Sequence, residues 1–221
     1  MRLIYFDIPG KAEAIRLCAA VAGVPLEDVR VTRDEFAAMK AAGQLPYGQV
    51  PALDPGGGQP LLAQSSAILR YVATVGGLHP ASDALAAARI DSIVSEEEDM
   101  FCGLSVSRYG PRFGFDFADG REDFRAAVRK ELNDVVLPKH LAFLEKLLEA
   151  SSTGWLADTE RPSIADFVFV PRLQWLVSGA NDGISRDLLE GYPKVREMMR
   201  KLLALPEVKA YYEKHPPNAA A

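Results

Sequence analysis

The sequence predicts two structural regions: a small α/β unit of order β-α-β-α-β-β-α over residues 1–77 and an all-helical region over 83–221, joined by a linker at 78–82. Three observations carry this. Up to Gly77, short apolar runs alternate with stretches of helical spacing, the rhythm of an α/β unit. The pair Gly76-Gly77 ends a helix and Pro80 cannot continue one, so the clearest boundary falls there. Beyond it, apolar residues recur at helical spacing almost throughout.

Residues 3–6 form a short apolar strand, broken by Pro9-Gly10. Ile15, Leu17, Cys18, Val21 and Ala22 then recur near helical spacing, which predicts a helix over 12–22 closed by Gly23. A second strand is read at 26–31 and a short helix at 33–42, closed by Gly43. Brief strands at 50–53 and 60–63 flank Asp54-Pro55-Gly56-Gly57-Gly58-Gln59, a composition suited to a hairpin turn. The glycine triplet lacks the Lys-Ser/Thr ending of a phosphate loop, and no helix follows it directly. Ser65 opens the next helix as its predicted N-cap, ahead of Ile68, Leu69 and Val72. Further helices are expected at 83–108, 121–150, 164–179, 193–204 and 206–215, with a frayed tail over 216–221. Ser163 and Asp166 have the spacing of a capping box, a structural device. The stretch 109–120, rich in Gly, Pro and Phe, is read as a loop able to cover a cleft.

Composition narrows the function classes. The chain has 221 residues, 48% of them hydrophobic and 25% charged, which excludes disordered and fibrous architectures and allows two modest cores. Its net charge of −5, without a Lys/Arg cluster, argues against a nucleic-acid partner and for a small ligand or a protein. No run of about 18 apolar residues is present, so no membrane span is expected. The first residues reach Asp7 and Pro9-Gly10 too soon for a signal-peptide core, and the cytosol is the default expectation. Cys18 and Cys102 are too few for a disulfide framework and form no Cys-x-x-Cys for dithiol redox chemistry. His79, His140 and His215 are scattered without metal-ligand spacing, so neither a metal nor a cofactor is expected.

Particular motifs then become informative. The stretch Leu45-Pro46-Tyr47-Gly48-Gln49-Val50-Pro51-Ala52-Leu53, followed by Leu62-Ala63-Gln64-Ser65-Ser66-Ala67-Ile68-Leu69-Arg70-Tyr71, closely resembles the glutathione-binding core of cytosolic glutathione S-transferases. Tyr5-Phe6 ahead of Gly10-Lys11-Ala12-Glu13, and Ser163-Ile164-Ala165-Asp166 downstream, match in the same order, so the resemblance covers essentially the whole chain. It is closest to the tyrosine-type enzymes of the sigma class. The resemblance implies a thioredoxin-like fold for the N-terminal unit and a helical domain that lines an electrophile pocket and a dimer interface. It also implies a cytoplasmic homodimer that conjugates glutathione, as co-substrate, to hydrophobic electrophiles.

Read from position alone, Tyr5 is a half-buried strand aromatic. The resemblance makes it the catalytic hydroxyl, donating a hydrogen bond that favours the glutathione thiolate, with the positive end of a following helix adding to the effect. Lowering the thiol pKa by roughly two units corresponds to about 2.7 kcal/mol. The resemblance further implies a cis Val50-Pro51 bond that leaves the Val50 N–H and C=O to pair with the cysteinyl backbone of glutathione. Gln64 and Ser65 would take the γ-glutamyl carboxylate where the helix begins.

Lys11, Lys40 and Gln49 would meet the glycyl carboxylate or support the site. Lys11 stands where sigma-like proteins usually carry Arg, and Phe36 where they usually carry Trp; Lys lacks the bidentate fork of Arg, and Lys11 reads equally as a solvated charge. Asp99 would reach across the dimer interface to the α-amino group, or belong, with Ser95-Glu96-Glu97-Glu98, to a solvated acidic helix face. Phe101, Leu104, Arg108, Tyr109 and Phe113 are read as core or as the wall of the electrophile pocket. No cysteine lies near Pro9-Gly10, which disfavours mixed-disulfide chemistry. The same scaffold also suits a non-catalytic glutathione-binding or structural protein, or a glutathione-dependent isomerase or peroxidase.

Overall fold

The computed structural model describes residues 1–115 and 122–216. Strands β1 (Arg2–Phe6), β2 (Glu27–Val31), β3 (Ala52–Asp54) and β4 (Leu62–Ala63) form one mixed sheet in the order β2-β1-β3-β4. β1 pairs parallel with β2, and helix α1 (Glu13–Ala22) supplies the crossover that a parallel pair needs. β1 then pairs antiparallel with β3, and β3 with β4. The β3–β4 turn is the expected hairpin: Gly56, Gly57 and Gly58 all take positive φ, and the Asp54 carboxylate accepts the Gly56 N–H at 2.8 Å. Helix α2 (Arg33–Ala41) starts on a Thr32–Glu35 capping box, and α3 (Ser65–Val75) packs against α1.

Helices make up the rest: α4 (Ala84–Arg108), α5 (Glu122–Glu131), α6 (Leu137–Ala150), α7 (Ile164–Leu176), α8 (Pro193–Leu203) and α9 (Pro206–Lys214). Asp83 caps α4 by accepting the Leu85 and Ala86 N–H groups at 3.1 and 3.0 Å. α7 is apolar nearly all round, with Phe167, Phe169, Val170, Leu173 and Leu176 fully buried, and it packs against both α1 and α4. A helix of that kind is interior by necessity. It therefore fixes the α/β unit against the helical one. None of the described helices is long and apolar enough to cross a membrane.

The structure departs from the expected elements in several places, and the strand expected at 60–63 is confined to Leu62–Ala63. The helix expected at 121–150 is interrupted: a π-helical segment, Leu132–Val136, separates α5 from α6. Pro138 at the start of α6 lacks an N–H and its ring crowds the carbonyl one turn back, which the wider π turn accommodates. α7 ends at Leu176, short of residue 179, because Ser178 turns its hydroxyl onto the Trp175 carbonyl at 2.8 Å. Residues 50–51 precede β3 without joining it. The N-cap of α3 is Gln64, and Ser65 is its first helical residue. The expected cleft-covering loop at 109–120 begins as a 3-10 turn, Gly110–Phe113, and its part at 116–120 lies outside the described residues, as does 217–221 of the tail.

Candidate active site

Strand register brings the first candidates together. Ile4 pairs with Ala52 and Ala52 with Ala63, so Tyr5, Pro51 and Gln64 come next at one end of three adjacent strands. Tyr5 is 8% exposed. Its oxygen accepts the backbone N–H of Lys11 at 3.1 Å, from the turn that leads into α1. With a lone pair engaged there, the phenolic proton is free to be donated elsewhere. Burial, the largest influence, raises the Tyr5 pKa above its ordinary value, against the opposing pull of the Lys11 N–H. Tyr5 is thus a neutral hydrogen-bond donor at physiological pH, not a base.

Two neighbours hold this geometry. Gly10 has φ +45°, and a Cβ there would lie 2.5 Å from the Tyr5 oxygen, so only glycine allows the turn to pass so close. Arg16, with its side chain 1% exposed, spends its guanidinium on Asp28 at 3.1 Å, Glu13 at 3.2 Å and the carbonyls of Ile8 at 2.8 Å and Phe6 at 3.3 Å. It clamps the segment between Tyr5 and α1.

The Val50-Pro51 bond is cis. Gln64 sits at φ 71°, a strained conformation for a side-chain-bearing residue, and makes no capping bond to α3. The first N–H groups of α3 are therefore left without a side-chain cap, the arrangement that suits an anion. Ser65 and Ser66 at that helix start, with Gly10, Lys11, Glu97 and Arg172, wall a cleft between the two regions.

The remaining candidates lie at different distances from this centre. The aliphatic part of Lys40 runs beside Gly48, 3.3 Å from where a Cβ would stand, which places it on the loop that carries exposed Gln49 and half-buried Val50. Phe36 packs edge-on against Phe6 at 5.2 Å, and Phe6 lies 5.6 Å from Tyr5. Of the candidates, Lys11 and Ser65 wall the cleft, whereas Tyr5, Lys40, Gln49, Val50, Pro51, Gln64 and Asp99, the last exposed on α4, are not among the residues that do. Cys18 is buried in the core and its thiol is pushed up to about 12 by burial, which makes it inert as a nucleophile.

Glu97 was absent from the candidates. It lies within the acidic run of α4 yet is 1% exposed, accepting Arg172 Nε at 2.6 Å and pairing with Lys11 Nζ at 3.6 Å. The signal was in the spacing: Ile90, Val94, Glu97, Phe101 and Leu104 share one buried stripe. Lys11 is therefore tied from its backbone to Tyr5 and from its side chain, which stays partly exposed, to the helical region.

Comparison with known proteins agrees with this architecture. The family model described as "Glutathione S-transferase, N-terminal domain" matches residues 1–74, and "Glutathione S-transferase, C-terminal domain" matches 115–215. The chain is 31% identical to Glutathione S-transferase 1 of Ascaris suum, over 97% of this chain and 96% of that one. Among solved structures, prostaglandin synthase D of Nilaparvata lugens superposes with a TM-score of 0.79 at 26% identity, covering 97% of this chain and 98% of that one. The glutathione S-transferase Na-GST-3 of Necator americanus, described as monomeric, superposes with a TM-score of 0.74 at 28% identity, covering 97% of each chain. With both family models in chain order and a relative matched over nearly its full length, the chain belongs to the glutathione S-transferase family.

Proposed function

We propose that the chain is a tyrosine-type glutathione transferase, most like the sigma class, in which Tyr5 donates its hydroxyl proton as a hydrogen bond to the sulfur of bound glutathione and holds it as thiolate. The observation that carries this reading is the Tyr5 oxygen: it accepts the 3.1 Å hydrogen bond from the N–H of Lys11, a residue that walls the cleft, and is kept protonated by burial, so its O–H remains to be donated to an anion. The thiolate lone pair forms the new carbon–sulfur bond to a hydrophobic electrophile, and the leaving group departs with its bonding pair. Positioning does the rest, since the thiolate is already a strong nucleophile.

In this reading the α/β unit at 1–77 binds glutathione, and the region at 83–221, beyond the linker at 78–82, lines the electrophile pocket. The backbone of Val50, beside cis Pro51, pairs with the cysteinyl residue. The α3 start at Gln64 and Ser65 takes the γ-glutamyl carboxylate, and Lys40 and Gln49 serve the glycyl end. Lys11 supports the site through its backbone. Asp99, exposed on α4, completes the site of a second copy in a homodimer.

Tyr5→Phe tests the reading. Turnover of a general aryl halide should fall about 10²-fold or more, the loss expected for one transition-state hydrogen-bond donor. Glutathione affinity by calorimetry should stay nearly intact. Unchanged turnover would remove Tyr5 from the mechanism. The likeness to a protein named prostaglandin synthase D favours one second reading, a glutathione-dependent isomerase on the same thiolate, marked by conversion without net consumption of glutathione.

A further inference from the structure

We propose that the electrophile accepted by this site carries a carboxylate, held by Arg108 and Arg112, which continue a ladder of side chains from the cleft-lining Arg172. The inference rests on the transferase reading above and adds the charge of the second substrate. Six side chains alternate along α4, α7 and the turn after α4. Arg172 Cζ lies 4.2 Å from the Phe101 ring centroid and 4.8 Å from that of Trp175. Arg108 Cζ lies 5.4 Å from Trp175 and 5.9 Å from Tyr109, and Arg112 Cζ lies 4.8 Å from Tyr109. This ladder begins at the buried Glu97–Arg172 pair and runs through Tyr109, which is 44% exposed, to Arg112. Arg172 walls the cleft together with Gly10 and Lys11, the two residues that lie against the Tyr5 oxygen, so the ladder starts at the cleft.

The donors are unevenly spent. A structural arginine uses its guanidinium on carboxylates and carbonyls, as Arg16 does. Arg172 gives its Nε to Glu97. Arg108 gives one terminal nitrogen to the Ala180 carbonyl at 3.1 Å and to Asn181 Oδ1 at 3.5 Å, neither of them charged. The Arg112 guanidinium has neither hydrogen bond nor ion pair among the described residues, its backbone N–H alone being bonded, to the Tyr109 carbonyl at 2.9 Å. Among the described residues Arg172 is paired with a carboxylate and the Arg108 and Arg112 guanidinium groups are not, on a chain whose net charge is −5. Guanidinium groups without a carboxylate partner attract an anion. The stacked rings fix the planes of the guanidinium groups and strip water from one face of each, which leaves their edges oriented for a carboxylate.

The test compares 4-chloro-3,5-dinitrobenzoate with its uncharged methyl ester. In both, the glutathione sulfur forms a bond to the ring carbon and the carbon–chlorine bond breaks, its electron pair leaving with chloride. Each kcat/KM is divided by the rate of the same electrophile with free glutathione at the same pH. The acid should be favoured about tenfold, the value of one exposed charge-assisted contact, and the preference should shrink as salt is added. Arg112→Gln should bring the acid-to-ester ratio close to one, Arg112→Lys should retain part of it, and Arg108→Gln gives an independent second reading of the same ratio. Equal or inverse preference in the wild type overturns the inference alone. So does an unchanged ratio in Arg112→Gln with a raised KM for glutathione, which would assign the arginines to the tripeptide. Turnover of neither electrophile overturns the transferase reading and this inference with it.

Discussion

Gly10→Ala is the substitution that tests the geometry around Tyr5 most sharply while leaving every polar group in place. The new methyl would stand 2.5 Å from the Tyr5 oxygen, and ordinary contact begins at 3.4 Å, so oxygen and turn must separate by about 0.9 Å. A shift of that size breaks the 3.1 Å bond from the Lys11 N–H and moves the hydroxyl off the position where the sulfur would lie. Misplacement of a reacting group by about 1 Å costs on the order of 10²-fold in rate, or about 2.7 kcal/mol of barrier. A second, separate cost falls on stability: alanine at φ +45° is strained by roughly 1–2 kcal/mol. The assay is steady-state kinetics with a general aryl halide, alongside calorimetric glutathione binding and urea unfolding. We expect kcat to fall about 10²-fold, with glutathione bound nearly as before and a modest loss of stability. Wild-type kcat in a folded Gly10→Ala protein would refute the reasoning, because the hydroxyl could then move without consequence.

Three further outcomes are expected. Asp166→Ala should destabilise the fold by about 3 kcal/mol in urea unfolding, because the buried carboxylate accepts the Leu156 N–H at 2.9 Å, the Ser163 N–H at 2.8 Å and the Ser163 hydroxyl at 3.1 Å, and all three would lose their partner. Glu97→Gln should cost about 2 kcal/mol, less than a fully buried pair, since Lys11 keeps access to water; stability equal to wild type would show that the carboxylate neutralises nothing essential. The pH–rate profile should rise on a single limb whose midpoint lies below the free thiol range of about 8.5. Because the Tyr5 pKa is raised, its proton is still present throughout that limb, so the rise reports deprotonation of glutathione and no decline should accompany it. A decline near neutral pH would assign the titration to Tyr5 itself.

Much of this architecture is written locally in the chain. The turn glycines of the β3–β4 hairpin and the end of α3 at Gly76 each have a short-range cause, and each was legible. So was the collection of Tyr5, Pro51 and Gln64, through motifs that the strand register then places at one end of the sheet. What was not legible depends on packing between distant segments. Glu97 looked like part of a solvated acidic face because its neighbours in sequence are charged; its partners, Arg172 and Lys11, come from α7 and from the turn before α1. The guanidinium–aromatic ladder joins residues on α4 to residues on α7, and neither helix announces it alone. At Ser65 the helix-start signal was present, but the positive φ of Gln64 takes the cap position and leaves the serine inside the first turn. The π-helical segment before α6 has its cause in Pro138, a residue visible in the sequence but read there as compatible with one continuous helix.

What matters most is whether the buried phenol lowers the pKa of the tripeptide's sulfur. Ultraviolet difference titration of the thiolate in the binary complex measures this directly, for the wild type and for Tyr5→Phe. The account predicts a bound-thiol pKa about two units below that of free glutathione in the wild type, most of which is lost in the variant. A bound thiol that titrates as it does in water, or one whose pKa is the same with and without the Tyr5 hydroxyl, would contradict it.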